Sequence, residues 1–63
     1  MRLTDFWQRM HEHFGPQAEP YASDQVLGEL GGRTVTQALA DGDDAREVWR
    51  AVCRAAVVPK RLH

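Results

Sequence analysis

Two consecutive glycines, Gly31 and Gly32, constrain the fold most, because they open a stretch dense in helix boundary signals. Glycine adopts left-handed backbone angles at little cost, which suits the end of one helix and a sharp change of direction. Thr34 and Gln37 then match a capping box at the start of a helix. Gly42 predicts the end of that helix, so the stretch predicts a short helix, a tight turn and a further helix.

Apolar periodicity elsewhere in the chain also predicts helices. The first has a stripe at helical spacing and Thr4 as its candidate N-cap. The second runs up to the glycine pair, and no segment alternates long enough to predict a strand. The predicted helices are Thr4 to Phe14, Ala18 to Glu29, Thr34 to Ala40 and Asp44 to Ala56. The predicted fold class is therefore all-α, a small compact bundle of three to four short helices.

Trp7 and Trp49 are large side chains for a chain of 63 residues. Each lies on the apolar face of its predicted helix, so both are expected to form the centre of the core. The alternative is that one of them is partly exposed and anchors a partner, as tryptophan does at many interfaces.

Chain length predicts one domain over residues 1–58, followed by a mobile tail over residues 59–63. A domain of this size buries only about 60% of the surface of its unfolded chain, so we expect modest stability. Cys53 is the single cysteine and cannot form an internal disulfide. One unpaired cysteine, no signal peptide and no membrane-spanning run predict a cytoplasmic protein without membrane contact.

The formal net charge of −1 favours neither nucleic acid nor membrane as a partner. Its distribution is uneven, because residues 16–32 carry three acids and no base. From Asp44 onward five basic residues face two acids, and these bases are Arg46, Arg50, Arg54, Lys60 and Arg61. The chain is thus acidic in its middle and basic at its end.

Arg46, Arg50 and Arg54 recur every four residues and form one stripe on the predicted fourth helix, opposite much of its apolar face. Like charges at this spacing repel each other weakly. One interpretation is a docking face for phosphates or an acidic partner. The other is a solvated face, with Glu47 bridging Arg50 and Arg54 answering the negative end of the helix dipole.

The third and fourth helices also match a helix-turn-helix arrangement, with the fourth helix as the recognition element. A DNA-binding domain of this kind is usually strongly basic, whereas this chain is slightly acidic. Asp43, Asp44 and Glu47 crowd the start of the fourth helix, where they would repel DNA. Sequence-specific DNA binding is therefore disfavoured.

The residues able to carry chemistry predict neither an enzyme nor a cofactor or metal site. His11 and His13 are two positions apart on a helix and point in different directions, so they are interpreted as surface histidines. Cys53 lies on the apolar side of the fourth helix, which is typical of a buried, inert thiol. No histidine is placed by the sequence to act as its base.

Several blocks resemble one known family, namely Met1 to Trp7, Phe14-Gly15, Leu30 to Val35, Ala38-Leu39 and Val48 to Cys53. They look like the short actinobacterial proteins grouped as domain of unknown function 3046. The resemblance implies a small helical fold, no established activity and no defined binding residues. It also suggests a link to DNA recombination or repair, because family members are often encoded beside the bacterial recombinase and its regulator.

The leading hypothesis is a non-enzymatic protein–protein interaction module. Its predicted contact residues are Arg46, Arg50 and Arg54, with Arg33 added, meeting an acidic surface on a partner protein. Arg33 has a structural alternative, in which it reaches back to carbonyls at the end of the second helix. The alternative function is a weak nucleic-acid-binding accessory that uses the same arginines plus Lys60 and Arg61.

Overall fold

Four α-helices and one small sheet form the protein in this computed structural model, which describes residues 1–56. The helices are α1 (Leu3–Phe14), α2 (Ala18–Asp24), α3 (Val35–Ala40) and α4 (Ala45–Ala56), and the strands are β1 (Val26–Leu27) and β2 (Arg33–Thr34). Two short 3-10 turns, Gly15–Gln17 and Gly28–Leu30, complete the order. The helical majority is as predicted, but the fold is not a pure helical bundle. The predicted tail over 59–63 lies outside the described residues.

Helix α1 follows the predicted stripe with two differences. It begins at Leu3, with Arg2 at the cap position and no side-chain capping bond, so the prediction of Thr4 as N-cap is wrong. Phe6 and Met10 are buried, whereas Leu3 is 52% exposed although it belongs to the same stripe. Gly15 ends the helix at a φ of 58°, in the left-handed region that glycine adopts readily.

Helix α2 ends at Asp24, five residues before the predicted end at Glu29. Gln25 turns to an extended conformation, and the chain then forms β1 instead of further helix. The predicted helical face fails here because Val26 is 56% exposed, while the next residue, Leu27, is buried. The β-branched side chain of Val26 and the glycine at position 28 also disfavour helix at this point.

The two strands pair antiparallel, with Val26 opposite Thr34 and Leu27 opposite Arg33. Gly31 and Gly32 redirect the chain between them with φ values of 67° and 81°. The predicted glycine turn therefore exists, but it joins the two strands where two helices were expected. The small sheet brings the chain back to α3.

The helix boundaries after the sheet follow the capping signals. The Thr34 hydroxyl accepts a hydrogen bond from the backbone N–H of Gln37 at 3.1 Å, which caps α3. Gly42, with a φ of 90°, lies in the turn between α3 and α4. The Asp44 carboxylate then accepts from the backbone N–H of Arg46 at 2.8 Å. The predicted third and fourth helices are confirmed to within one residue at each end.

Every helix contributes side chains to the core, as do strand β1 and the 3-10 turn that follows it. The buried residues are Phe6, Met10, Ala18, Ala22, Leu27, Leu30, Val35, Ala38, Val48, Trp49, Ala51, Val52 and Cys53. Phe6 meets Trp7 and Trp49 edge to face, with ring centroids 5.4 Å and 6.0 Å away. Trp49 is buried, but Trp7 is only half-buried and packs against the edge of the core. Phe6 and Trp49 therefore hold the central place predicted for the tryptophan pair.

Candidate binding groove

The three arginines of α4 form one exposed stripe, as their spacing predicts. Arg46, Arg50 and Arg54 are all exposed, and α4 continues without a break from Ala45 to Ala56. The Asp44 cap at the start of α4 fixes the first turn, on which Arg46 lies. Because α4 is a twelve-residue helix packed on the core, the backbone positions of the three arginines are fixed relative to one another.

A groove of about 490 Å³ lies along this stripe. Its cationic lining consists of Arg46, Arg50 and Arg54 together with Arg9 from α1. Its remaining lining is Met1, Trp49 and Cys53, which gives it an apolar floor. The stripe therefore does not stand opposite the apolar face, because Trp49 and Cys53 border it directly. Four guanidinium groups around one concavity form a site that attracts anions.

Two glutamates already engage part of the cationic rim. Glu47 accepts a hydrogen bond from Arg50 at 3.0 Å, the bridge predicted from their spacing. Glu29, in the turn between the strands, accepts one from Arg54 at 3.1 Å. All four side chains are largely exposed, and ion pairs of this kind are weak and easily exchanged. Within the described part of the chain, Arg46 forms no ion pair.

Trp49 is the lining residue closest to the core. It is 2% exposed, and its indole Nε1 is the one buried side-chain nitrogen or oxygen in residues 1–56 that has no hydrogen-bond partner. An unpaired buried donor costs about 1–3 kcal/mol. The floor of the groove is thus built on a rigid aromatic ring.

Cys53 contributes a neutral thiol to the same floor. Burial raises the pKa of the Cys53 thiol, and the positive charges of Arg9 and Arg54 oppose this increase without cancelling it. A thiol with a raised pKa is protonated near neutral pH, and the thiolate is the nucleophilic form. Cys53 therefore acts as a small apolar group here.

Arg33, which the sequence places among the predicted contact residues, lies outside the groove. Its Nε donates to the carbonyl of Leu30 at 2.8 Å, and its two terminal nitrogens donate to Asp41 at 3.0 Å and to Asp43 at 2.6 Å. The pKa of Arg33 is raised, first by the hydrogen bond to Asp43 and then by that to Asp41. Arg33 does reach back to a carbonyl, as its structural alternative predicts, but that carbonyl lies in the 3-10 turn Gly28–Leu30 and not at the end of the second helix. Together these contacts tie β2 to the turn before α4.

The two histidines of α1 contact aromatic rings. His11 lies 6.2 Å from Trp7 between ring centroids, and His13 meets Phe14 edge to face at 4.5 Å. Among residues 1–56, no group of three or more histidine, cysteine, aspartate or glutamate side chains is placed to hold a metal ion.

Sequence reasoning missed four lining residues of the groove: Met1, Arg9, Trp49 and Cys53. Arg9 carries a usable signal, because it directly precedes buried Met10 and follows buried Phe6 by three residues. The side chain of a charged residue at the border of an apolar stripe extends over the surface of the helix that packs beside it. Which helix that neighbour is depends on the tertiary fold.

The fold and the groove define a small, mostly helical domain with a cationic concavity. No helix in residues 1–56 has both the length and the apolar character needed to cross a membrane. The chain belongs to the family described as Protein of unknown function (DUF3046), whose model matches residues 1–61. The resemblance found in the sequence is thereby confirmed. No curated protein and no solved structure matches the chain.

Proposed function

We propose that this protein is a non-enzymatic interaction module that docks an acidic surface of another protein in the groove between α1 and α4. The observation that supports the proposal is the convergence of Arg9, Arg46, Arg50 and Arg54 on one concavity. Arginine is favoured at such sites because its planar guanidinium binds carboxylates through two parallel hydrogen bonds. Arg46 has no carboxylate of its own within the described residues and is the first group available to a partner.

The charge of the rest of the molecule favours a protein partner over nucleic acid. The chain is slightly acidic overall, and Asp43, Asp44 and Glu47 surround the start of α4. A nucleic-acid surface usually carries a strong excess of base, because it must replace the counterions of several phosphates. In residues 1–56 the groove gathers four arginines and is bordered by Glu29 and Glu47, which suits a partner of limited size and local negative charge.

The lining of the groove favours binding over catalysis. Among its described lining residues, Cys53 is the one potential nucleophile, and burial raises the pKa of that thiol. Among residues 1–56, the lining includes no histidine or carboxylate that could accept a proton from Cys53. The groove therefore offers charge and shape, which are the requirements of recognition.

Affinity capture of the tagged protein from a host lysate treated with nuclease tests the proposal. The matched variants are Arg46→Glu, in the groove, and Arg2→Glu, an exposed arginine outside its lining. We expect a protein partner that wild type and Arg2→Glu retain and that Arg46→Glu loses. Purified partner and purified variants should reproduce the difference, with all three proteins equally helical by circular dichroism.

Three results would contradict the proposal. Equal retention by Arg46→Glu and wild type would remove the groove from the interaction. Capture that disappears with nuclease, and that weakens steeply as salt is raised, would assign the arginines to nucleic acid. Turnover of a substrate by the purified protein would make it an enzyme.

A further inference from the structure

The groove has two chemically different parts. Its rim is cationic, whereas its floor is made of the Met1 side chain, the Trp49 ring and the neutral Cys53 thiol. A volume of about 490 Å³ lies within the range of about 300–1,000 Å³ that is usual for sites enclosing small ligands. The space therefore suits a few side chains of a partner and not a broad flat surface.

The rim determines where carboxylates of a partner would bind. Arg46 forms no ion pair within residues 1–56, so it meets an incoming carboxylate without competition. At Arg50 and Arg54 the incoming carboxylate must displace Glu47 and Glu29. These two glutamates compete with the partner for the arginines, so they lower the affinity of the groove.

The floor determines which kind of side chain the partner places between those carboxylates. Trp49 is held edge to face against Phe6 and, being 2% exposed, offers only its rigid outer edge, whereas Met1 is more exposed and adapts its shape to the group it covers. A ligand with charge alone would leave this floor covered only by water. An apolar side chain placed on it adds buried area to the ion pairs at the rim.

Charge disfavours the basic residues that follow the described part of the chain as occupants of the groove. Its C-terminal residues include Lys60 and Arg61, whose charge is the same as that of the rim. Two of the acids that a second copy could offer, Asp41 and Asp43, are already bound by Arg33. Charge complementarity therefore requires an acidic occupant, and we take a different molecule as that occupant, with a second copy as an outcome of the test.

We infer that the groove recognises a short acidic peptide segment in which an apolar side chain is flanked by carboxylates. The apolar side chain rests on Met1, Trp49 and Cys53, and the carboxylates bind Arg46 and its neighbours on the rim. This inference rests on the proposed function and specifies the chemistry of the partner. Phosphate-rich ligands satisfy the rim alone and lack the group that fills the floor.

Two synthetic peptides of equal length and charge test the inference. Both carry aspartate and glutamate on each side of a central position, which is leucine in one peptide and serine in the other. We expect the leucine peptide to bind about tenfold more tightly or better, since burial of one leucine side chain is worth at least that factor. Fluorescence anisotropy of labelled peptides measures both affinities at the same salt concentration.

Three variants separate the rim from the floor. Arg46→Glu should weaken both peptides by a similar factor, because both use the rim. Cys53→Ser is nearly isosteric and should weaken the leucine peptide while leaving the serine peptide unchanged. Glu47→Gln removes a competing carboxylate and should tighten both. Circular dichroism and urea unfolding establish that each variant keeps its fold.

The outcomes distinguish failure of the inference from failure of the proposed function. Equal affinity for the two peptides, or tighter binding of a single-stranded oligonucleotide of equal charge, overturns the inference. So does self-association in sedimentation that Arg46→Glu abolishes, which would place a second copy in the groove. Absence of binding by either peptide also overturns it, while capture of a protein partner that depends on Arg46 would leave the proposed function standing.

Discussion

Arg33 donates four side-chain hydrogen bonds to three residues. It joins the carbonyl of Leu30 to the carboxylates of Asp41 and Asp43, so one guanidinium connects the start of β2 with the turn between α3 and α4. The fork of the guanidinium meets both oxygens of Asp43, at 2.6 Å and 3.3 Å. Such two-point contacts restrict geometry more than a single ion pair does.

Substitution of Arg33 should therefore reduce stability. We expect Arg33→Ala to lower the urea midpoint of unfolding, and Arg33→Lys to recover only part of the loss, because lysine lacks the planar fork. Added salt should narrow the gap between wild type and Arg33→Ala, since the side chain is 31% exposed and its ion pairs are screened. Equal midpoints for wild type and Arg33→Ala would show that these contacts contribute nothing to stability.

The individual arginines show how far sequence alone reaches at this scale. Arg46, Arg50 and Arg54 share a face because four residues are close to one helical turn, so their stripe follows from spacing. The role of Arg33 depends on acids eight and ten positions later, which only the turn at Gly42 brings back to it. The position of Arg9 in the groove could be predicted only if the helix that packs beside α1 were known.

At the scale of elements, the capping signals of α3 and α4 predict better than the apolar periodicity of the second helix, although the capping signal at Thr4 fails. Thr34 and Asp44 both accept the backbone hydrogen bonds that their positions predict, and α3 and α4 begin accordingly. Over residues 22–30, by contrast, an apolar repeat at helical spacing is shared by a helix end, a strand and a 3-10 turn. The pairing of β1 with β2 leaves no periodic signal in the sequence, because each strand has two residues.

Gly42 gives a prediction at this scale, because it permits the turn between α3 and α4. Its φ of 90° lies where L-residues are strained, although a Cβ at this position would meet no atom within 4 Å. We expect Gly42→Ala to lower the free energy of unfolding by about 1–2 kcal/mol through backbone strain alone. Urea unfolding followed by circular dichroism measures the change.

Gly28 is the matched control. It lies in a 3-10 turn without a positive φ, and the space that a Cβ would occupy is equally open. Gly28→Ala should leave stability unchanged or raise it slightly, because alanine restricts the unfolded chain. A loss as large as that of Gly42→Ala would mean that the two turns do not differ in strain.

At the scale of the whole molecule, the groove exists because α1 and α4 lie side by side. Neither helix alone encloses a concavity, and Arg9 and Arg46 are 37 positions apart in the sequence. Sequence patterns predict helices and their apolar faces, but the pairing of those faces follows from how the complete core closes. The mostly helical class, the α4 stripe and the family were therefore predictable, and the groove was not.

The same closed core makes stability depend on alkaline pH. Burial raises the pKa of Cys53 above its ordinary value of 9.0 and that of Tyr21 above 10.0. A folded state that raises the pKa of an acid holds its proton more tightly than the unfolded chain does. The corresponding stability is complete below the ordinary pKa and is lost as pH rises through the folded pKa.

We therefore expect the urea midpoint to be level from about pH 7 to about pH 8.5 and to fall above that range as these two groups titrate. Cys53→Ala should remove the earlier part of the fall and Tyr21→Phe the later part, because neither new side chain ionises. The double variant should show a flatter profile than wild type over the same range. If the urea midpoint of the double variant fell as steeply with pH as that of wild type, other groups would cause the alkaline loss of stability. The core would then not distinguish the protonated thiol and phenol from their anions.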